Sequence, residues 1–418
     1  MIGDPLRVAM LSVHTCPLAT PGGKKTGGMN VYVRELSAEL GRRGIRVDVF
    51  TRSQDPCVPH VNDASFSEGV RVIHIPAGPE CSLPSVEIYP YLPEFVAGVQ
   101  KYAEDRNLRY DVIHSHYWLS GWVAEQLRQV WDAPVLQMFH TLGHMKNRIA
   151  RSQKEREPEL RIQVEHEVMQ TSNYLVAATP AEKIQLMWLY GADMRKIHVI
   201  PPGVDLGHFC AIPKARARQV IGIPEGCRLL LFVGRIEPLK GIDTLLRAIA
   251  ILKQGTGDGV QDLCLSVIGG EPEENGRGGT EMARLKALRE ELNLGDLVTF
   301  IGAKSQDTLQ YYYSAAEAVI MPSHYESFGM VALEAMACST PVIASEVGGL
   351  AYLVQDGITG FHVPDQEPEE LAGRIHLLLE NDDLRMEMSA AAVSYAQQYA
   401  WPHIASQIQS LYYNCPAL

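Results

Sequence analysis

Leu6-Arg7-Val8-Ala9-Met10-Leu11-Ser12-Val13 is an almost unbroken apolar run, not an alternating one. That pattern belongs to a strand covered on both faces, as in a parallel sheet. A glycine-rich loop follows, Pro21-Gly22-Gly23-Lys24-Lys25-Thr26-Gly27-Gly28, and a helix is expected from near Met29. Val31, Val33, Leu36 and Leu40 fall on or near one face of it, Gly41 to Gly44 stop it, and Arg46–Phe50 reads as the next strand. Strand, helix, strand is one βαβ unit, which implies a parallel sheet with right-handed crossovers. Val70–Ile75, Val112–Ser115, Val135–Phe139 and Tyr174–Ala178 continue the series.

The pattern restarts after Pro201-Pro202-Gly203. Arg228–Gly234, Leu263–Gly269, Val298–Phe300, Ala318–Met321 and Pro341–Ser345 read as strands, separated by helical stretches at Ile242–Lys253, Glu281–Leu292, Thr308–Ala316 and Met330–Ala337. The fold class expected is α/β: two Rossmann-like, doubly wound parallel-sheet domains, residues 1–201 and 202–400, facing across a cleft. Lys253–Asp262 and Glu271–Gly279, rich in glycine and charge, read as exposed loops. Pro402 breaks the terminal helical stretch, so 401–418 is expected to return to the first domain.

Composition narrows the function. The 418 residues are 46% apolar and 21% charged, which is ordinary for a globular chain. A net charge of −12 disfavours nucleic acid and anionic membrane as partners, since both need a basic footprint. Eight scattered cysteines without C-x-x-C argue against a zinc site or a disulfide framework and fit a reducing compartment. The apolar run at Arg7 to Val13 is too short for a signal segment, and none reaches a membrane span. A soluble, cytoplasmic protein is the expectation.

In open α/β sheets ligands bind outside the carboxyl ends of the strands. Thr26-Gly27-Gly28 lets backbone amides approach a phosphate at a helix start. Gly234-Arg235 with Lys240 puts two cations on one strand–loop–helix connection, suited to a diphosphate. Glu326 in the next loop and Glu334 one turn inside the following helix can each grip hydroxyls, one set on a sugar and one on a ribose. The amides of Gly329, Met330 and Val331, with Phe328 before them, form a helix start open to phosphate. His140-Thr141-Leu142-Gly143 with Lys146 reads as a polar pocket. His114 and His116, two apart on an extended segment, raise a metal, but no third ligand is placed by spacing; a hydrogen-bonding wall around a polyol is the other reading. Arg161 with Glu165 reads either as a helical salt bridge or as an anion clamp. There is no G-x-S-x-G elbow, Walker loop or H-E-x-x-H. Together these residues suggest group transfer from a nucleotide-sugar.

The whole chain, from Arg7 to about Tyr413, resembles the retaining glycosyltransferases of GT-B fold that include the inositol-phosphate glycosyltransferases of mycothiol synthesis and the sucrose-phosphate synthases. The likeness rests on Gly27-Gly28-Met29-Asn30, His114-Ser115-His116-Tyr117-Trp118, His140-Thr141-Leu142-Gly143 with Lys146, Pro202-Gly203-Val204-Asp205, Gly234-Arg235 with Lys240, Glu326-Ser327-Phe328-Gly329, Glu334, and Gly357-Ile358-Thr359-Gly360. It implies that Arg235 and Lys240 hold the donor diphosphate, with Gly28 beside it. Glu326 would take the transferred sugar, Glu334 the ribose, and His140 the donor sugar near the reacting carbon. Asn30, Tyr117, Thr141, Lys146 and Arg161 would line the acceptor site, Arg161 on an acceptor phosphate.

The implied donor is UDP-glucose or UDP-N-acetylglucosamine, a co-substrate, with no metal and no other cofactor. The acceptor would be a small hydroxylated molecule carrying phosphate, such as an inositol phosphate, or fructose 6-phosphate as in the sucrose-phosphate synthases. The inositol-phosphate enzymes carry a further phosphate-binding lysine where this chain has Gly78–Ser85, and no lysine stands there. Glu87–Phe95 is closer to the sucrose-phosphate synthases, whose Gly-Gly-Gln turn is Gly-Gly-Met here. A non-catalytic nucleotide-sugar sensor and a nucleotide-dependent oxidoreductase are the other classes, the second lacking its G-x-G-x-x-G. A homodimer is left open.

Overall fold

The computed structural model describes residues 5–19, 27–58, 60–63, 67–150, 152–224, 226–255, 262–270 and 280–415. The glycine-rich turn up to Thr26 and most of the two stretches read as exposed loops lie outside the described residues. The chain forms two compact units. The first holds residues through Ala19, Gly28–Pro202 and the chain from Trp401; the second is Gly203–Ala400.

In the first unit the strands are β1 (Arg7–Leu11), β2 (Arg46–Arg52), β3 (Val61–Asp63), β4 (Val70–Ile75), β5 (Val112–His116), β6 (Val135–Met138), β7 (Tyr174–Ala177) and β8 (Ile197–Val199). They form one sheet in the order β3-β4-β2-β1-β5-β6-β7-β8, parallel except where β3 pairs antiparallel with β4. Val8, Ala9, Met10 and Leu11 of the central β1 are fully buried, as the unbroken apolar run requires. Met10 stands level with His114 and Leu11 with Ser115, so polar side chains collect where these two strands end.

The second unit contains β9 (Arg228–Val233), β10 (Leu263–Ile268), β11 (Val298–Phe300), β12 (Ala318–Met321), β13 (Val342–Ser345) and β14 (Gly360–Val363), ordered β11-β10-β9-β12-β13-β14 and wholly parallel. Its core joins Leu230, Phe232, Val267 and Ile320 to the helices through Leu245, Ile249, Leu371 and Ile375.

Three details depart from the sequence reading. Helix Gly28–Arg42 buries Val33, Leu36 and Leu40 as read, but Tyr32 joins them, on an i, i+4, i+8 line with Leu36 and Leu40, while Val31 is only half-buried. The terminal helical stretch is interrupted before Trp401, as read, but Pro402 does not break a helix from within: it is the second residue of the new helix Trp401–Asn414, where its missing N–H costs nothing. That helix packs on helix Gly28–Arg42, and Tyr412 OH lies 2.7 Å from His114 Nδ1. Finally, Cys227 and Cys264, beside each other at β9 and β10 with Cα atoms 6.0 Å apart, are joined as a disulfide, which even spacing along the chain did not signal.

Candidate functional site

Among the parallel strands of each sheet the order reverses once, between β1 and β5 and between β9 and β12. At such switch points the loops leaving the two carboxyl ends diverge and open a crevice. The second unit uses its switch point fully. Gly234 and Arg235 leave β9, and Pro238–Lys240 makes one 3-10 turn ended by Gly241. Pro322 to Ser327 leave β12 and lead into helix Met330–Ala337, capped by Gly329 at φ 108°. Backbone ties these loops, His324 N donating to Leu239 O at 2.9 Å.

Side chains join them too: Lys240 Nζ donates to Glu326 Oε2, in an ion pair whose side chains are 17% and 19% exposed. The main chain of Glu326 is held from behind, its carbonyl accepting from Gly349 N at 2.8 Å. Arg235, about half exposed, donates from Nη1 to Glu237 Oε1 at 2.7 Å. Glu334 is buried one turn into its helix and accepts from Tyr313 OH at 2.7 Å. Burial, and then the Glu334 charge, hold the Tyr313 hydroxyl pKa well above its ordinary value. The first-turn amides of Met330 and Val331 lack helical carbonyl partners, so the helix presents its positive end beside Glu326. Phe328 is buried, its ring 6.0 Å from that of Tyr399.

A further pair had no assigned role in the sequence: His324 Nδ1 lies 2.6 Å from Asp365 Oδ1, just beyond β14. An acid closing a strand end was the available signal.

The first unit places its polar residues around β5 and β6. His114 and His116 are fully buried, so they form no wall open to a polyol. His114 meets Tyr412, and His116 Nδ1 lies 3.0 Å from His140 Nε2. Tyr32 packs edge-on against both His116 and His140. Burial lowers the pKa of His114 and of His140 to about 3, and that of His116 well below the ordinary histidine value, so the cluster is neutral. His140 has φ 61° and Tyr117 has φ 76°, backbone conformations uncommon for non-glycine residues.

Arg161, fully buried, is the hub joining Tyr117, Thr141 and Glu165. Its Nη2 donates to Thr141 O at 2.8 Å and to Thr141 Oγ1 at 3.1 Å, its Nη1 to Tyr117 OH at 3.0 Å, and its Nε to Glu165 Oε1 at 2.7 Å. Glu165 in turn accepts from Gly143 N at 3.0 Å and from Tyr190 OH. Lys146 Nζ donates to Glu157 Oε1 at 2.8 Å. Sequence spacing had paired Arg161 with Glu165 alone; Glu157, Tyr190 and the carbonyl of Thr141 complete the group. Asn30 is buried, donating to Thr15 Oγ1 and, at 2.7 Å, to Cys16 O in the loop after β1. Gly28 is the first residue of its helix. Among the described residues no group of three or more His, Cys, Asp or Glu is placed to hold a metal ion, and no helix is long and apolar enough to cross a membrane.

Residues 213–395 match the family described as "Glycosyl transferases group 1", and residues 27–203 match "Glycosyl transferase 4-like domain". A D-inositol 3-phosphate glycosyltransferase of Actinosynnema mirum is 40% identical over 408 residues, covering 97% of this chain and 96% of its own. That of Kineococcus radiotolerans is 42% identical over 417 residues, covering 97% and 94%. Among solved structures, a sucrose-phosphate synthase from Thermosynechococcus elongatus superposes with a TM-score of 0.88 at 37% identity, covering 98% of both chains. Matched along nearly its whole length by these relatives, the chain belongs to the group 1 glycosyltransferases of GT-B type.

Proposed function

We propose that this glycosyltransferase moves a hexosyl group, with retention of anomeric configuration, from a UDP-sugar to a hydroxyl of a small phosphorylated acceptor of the inositol phosphate kind. The observation that carries the reading is the Lys240–Glu326 pair at the β9/β12 switch point, beside the positive end of helix Met330–Ala337. A cation and a carboxylate so joined suit a donor that is anionic at one end and hydroxylated at the other. In this account Arg235, Lys240 and the helix amides take up the charge that grows on the leaving diphosphate. Such stabilisation is built in before the bond breaks, and no metal is needed for it. Glu326 holds the sugar hydroxyls, and Glu334, positioned by Tyr313, the ribose.

His140, neutral and fixed by His116, offers the sugar a hydrogen bond instead of a proton. The acceptor hydroxyl attacks from the face the diphosphate leaves, and the leaving phosphate takes its proton. Tyr117, Thr141, Lys146 and Arg161 hold the acceptor. The names of the relatives support an inositol phosphate as acceptor, whereas the likeness to the sucrose-phosphate synthase supports fructose 6-phosphate as the second candidate.

Mass spectrometry of products from UDP-glucose and UDP-N-acetylglucosamine, each offered inositol 3-phosphate, fructose 6-phosphate, inositol and fructose, tests the reading. A glycosylated phosphate ester is expected. Transfer confined to the unphosphorylated acceptors would contradict it.

A further inference from the structure

The cations on the acceptor side already hold an anion, and it belongs to the chain. Glu157 Oε1 lies 2.8 Å from Lys146 Nζ and 3.0 Å from Arg161 Nη1. Burial opposes its charge, but Arg161 and Lys146 outweigh burial and hold its pKa below the ordinary carboxylate value, so it is ionised at neutral pH. Lys146 and Arg161 against Glu157 and Glu165 leave this cluster without net charge. A phosphate arriving there would meet no excess of positive charge, and all three guanidinium nitrogens of Arg161 are engaged.

The two carboxylates differ in how firmly they are held. Glu165 is fully buried and takes Arg161, Gly143 N and Tyr190 OH. Glu157 is 19% exposed at its side chain and sits in the connection before helix Glu159–Thr171. Its backbone is pinned: Glu157 N donates to Asn147 Oδ1 at 2.7 Å, and Glu157 O accepts from Asn147 Nδ2 at 3.3 Å. The carboxylate can therefore rotate away while the main chain stays in place. A carboxylate and a phosphate are both acceptor-only anions that suit the same cation pair.

We propose that Glu157 is a built-in counter-anion: its carboxylate fills the Lys146–Arg161 pair while no acceptor is bound and swings out when a phosphate monoester takes its place. The proposal rests on the reading of Lys146 and Arg161 as acceptor residues. It makes the phosphate the part of the acceptor that opens the site, since a neutral polyol cannot replace an ion in the pair. It also lowers affinity for every anion that enters, because each must first displace a partner already in place.

The test uses inorganic phosphate as probe. Phosphate is titrated into the full chain and into Glu157→Gln, following its inhibition constant against the phosphorylated acceptor and the rise in unfolding temperature it causes. Phosphate should bind Glu157→Gln about three- to tenfold more tightly than the parent, the gain expected when a competing charge-assisted contact is removed. Adding Lys146→Ala should erase that gain, which places the phosphate at this pair. Glu157→Asp, which draws the carboxylate back by one methylene, should give a smaller gain of the same sign. Equal or weaker binding to Glu157→Gln, or a gain that survives Lys146→Ala, overturns the proposal. Phosphate that binds the pair without competing with the acceptor would instead overturn the assignment of these residues to the acceptor.

Discussion

A Cβ on Gly348 would press into the carbonyl oxygen of Glu326, and Gly348 also has φ +47°, a region that L side chains rarely adopt. Gly348→Ala must therefore push the Glu326 loop away from β13. A displacement of about 1 Å at a positioning residue can cost on the order of 10²-fold in rate. We expect kcat/KM for the proposed UDP-sugar donor to fall by about that much in steady-state assays, while an unchanged value would contradict the role proposed for Glu326 at the donor. The histidine cluster makes a second prediction. His114 and His140 keep pKa values of about 3 when folded, and His116 lies lower than normal, against an ordinary 6.5 in the unfolded chain. Below pH 6.5 the unfolded state thus binds protons that the native state refuses, so stability is lost as pH falls. For three protons the slope approaches about 4 kcal/mol per pH unit. Denaturant titrations between pH 7.5 and 5 should show this loss, and His116→Asn should make it shallower; a flat profile would contradict the buried, neutral cluster.

Among the elements, helix Pro180–Tyr190 shows how a local signal becomes structure. Thr179 caps it by accepting from Glu182 N, and Glu182 Oε2 reaches back to accept from Ala178 N at 2.7 Å, a relative of the capping box. The arrangement buries Glu182, and burial raises its pKa to about 7 from 4.5. The native state then holds a proton that the unfolded state has released, so stability declines as pH rises from about 4.5 to 7. For one such group the change is about 3 kcal/mol. Glu182→Gln keeps an oxygen for Ala178 N without the charge, and its unfolding temperature should gain on the parent between pH 5 and 8. No such divergence would mean that Glu182 stays ionised.

The long apolar strands and the helix starts near Met29 and Met330 were legible because burial on two faces and glycine punctuation are local properties. The three-residue β3, the edge strand β14 and the start role of Pro402 were not, because pairing at a sheet edge and packing against a distant helix decide them. The strand-end residues of the site were legible for the same local reason. Their pairings were not: Lys240 and Glu326 are 86 positions apart, and His114 and Tyr412 are 298 apart.

At the scale of the whole molecule, each unit completes its own sheet, but the first completes its core with the end of the chain. Trp401, Ile404, Ile408 and Tyr412 are buried in helix Trp401–Asn414 against helix Gly28–Arg42. At about 1.5–3 kcal/mol for each large apolar side chain, these four contribute about 6–12 kcal/mol, comparable to the net stability of a domain. A chain ending at Ala400 should lose the first unit's unfolding transition in calorimetry while keeping the second's. Retention of both transitions would contradict this account of the core.

In the mechanism proposed above, fixed positive charge in the second unit drives departure of the diphosphate. Its most direct measurement is UDP release coupled to acceptor glycosylation, run in excess EDTA, for the parent chain and for Lys240→Ala. The parent should keep its turnover under chelation, and Lys240→Ala should lose about 10²–10³ in kcat. Turnover abolished by EDTA, or a Lys240→Ala enzyme as fast as the parent, would contradict it.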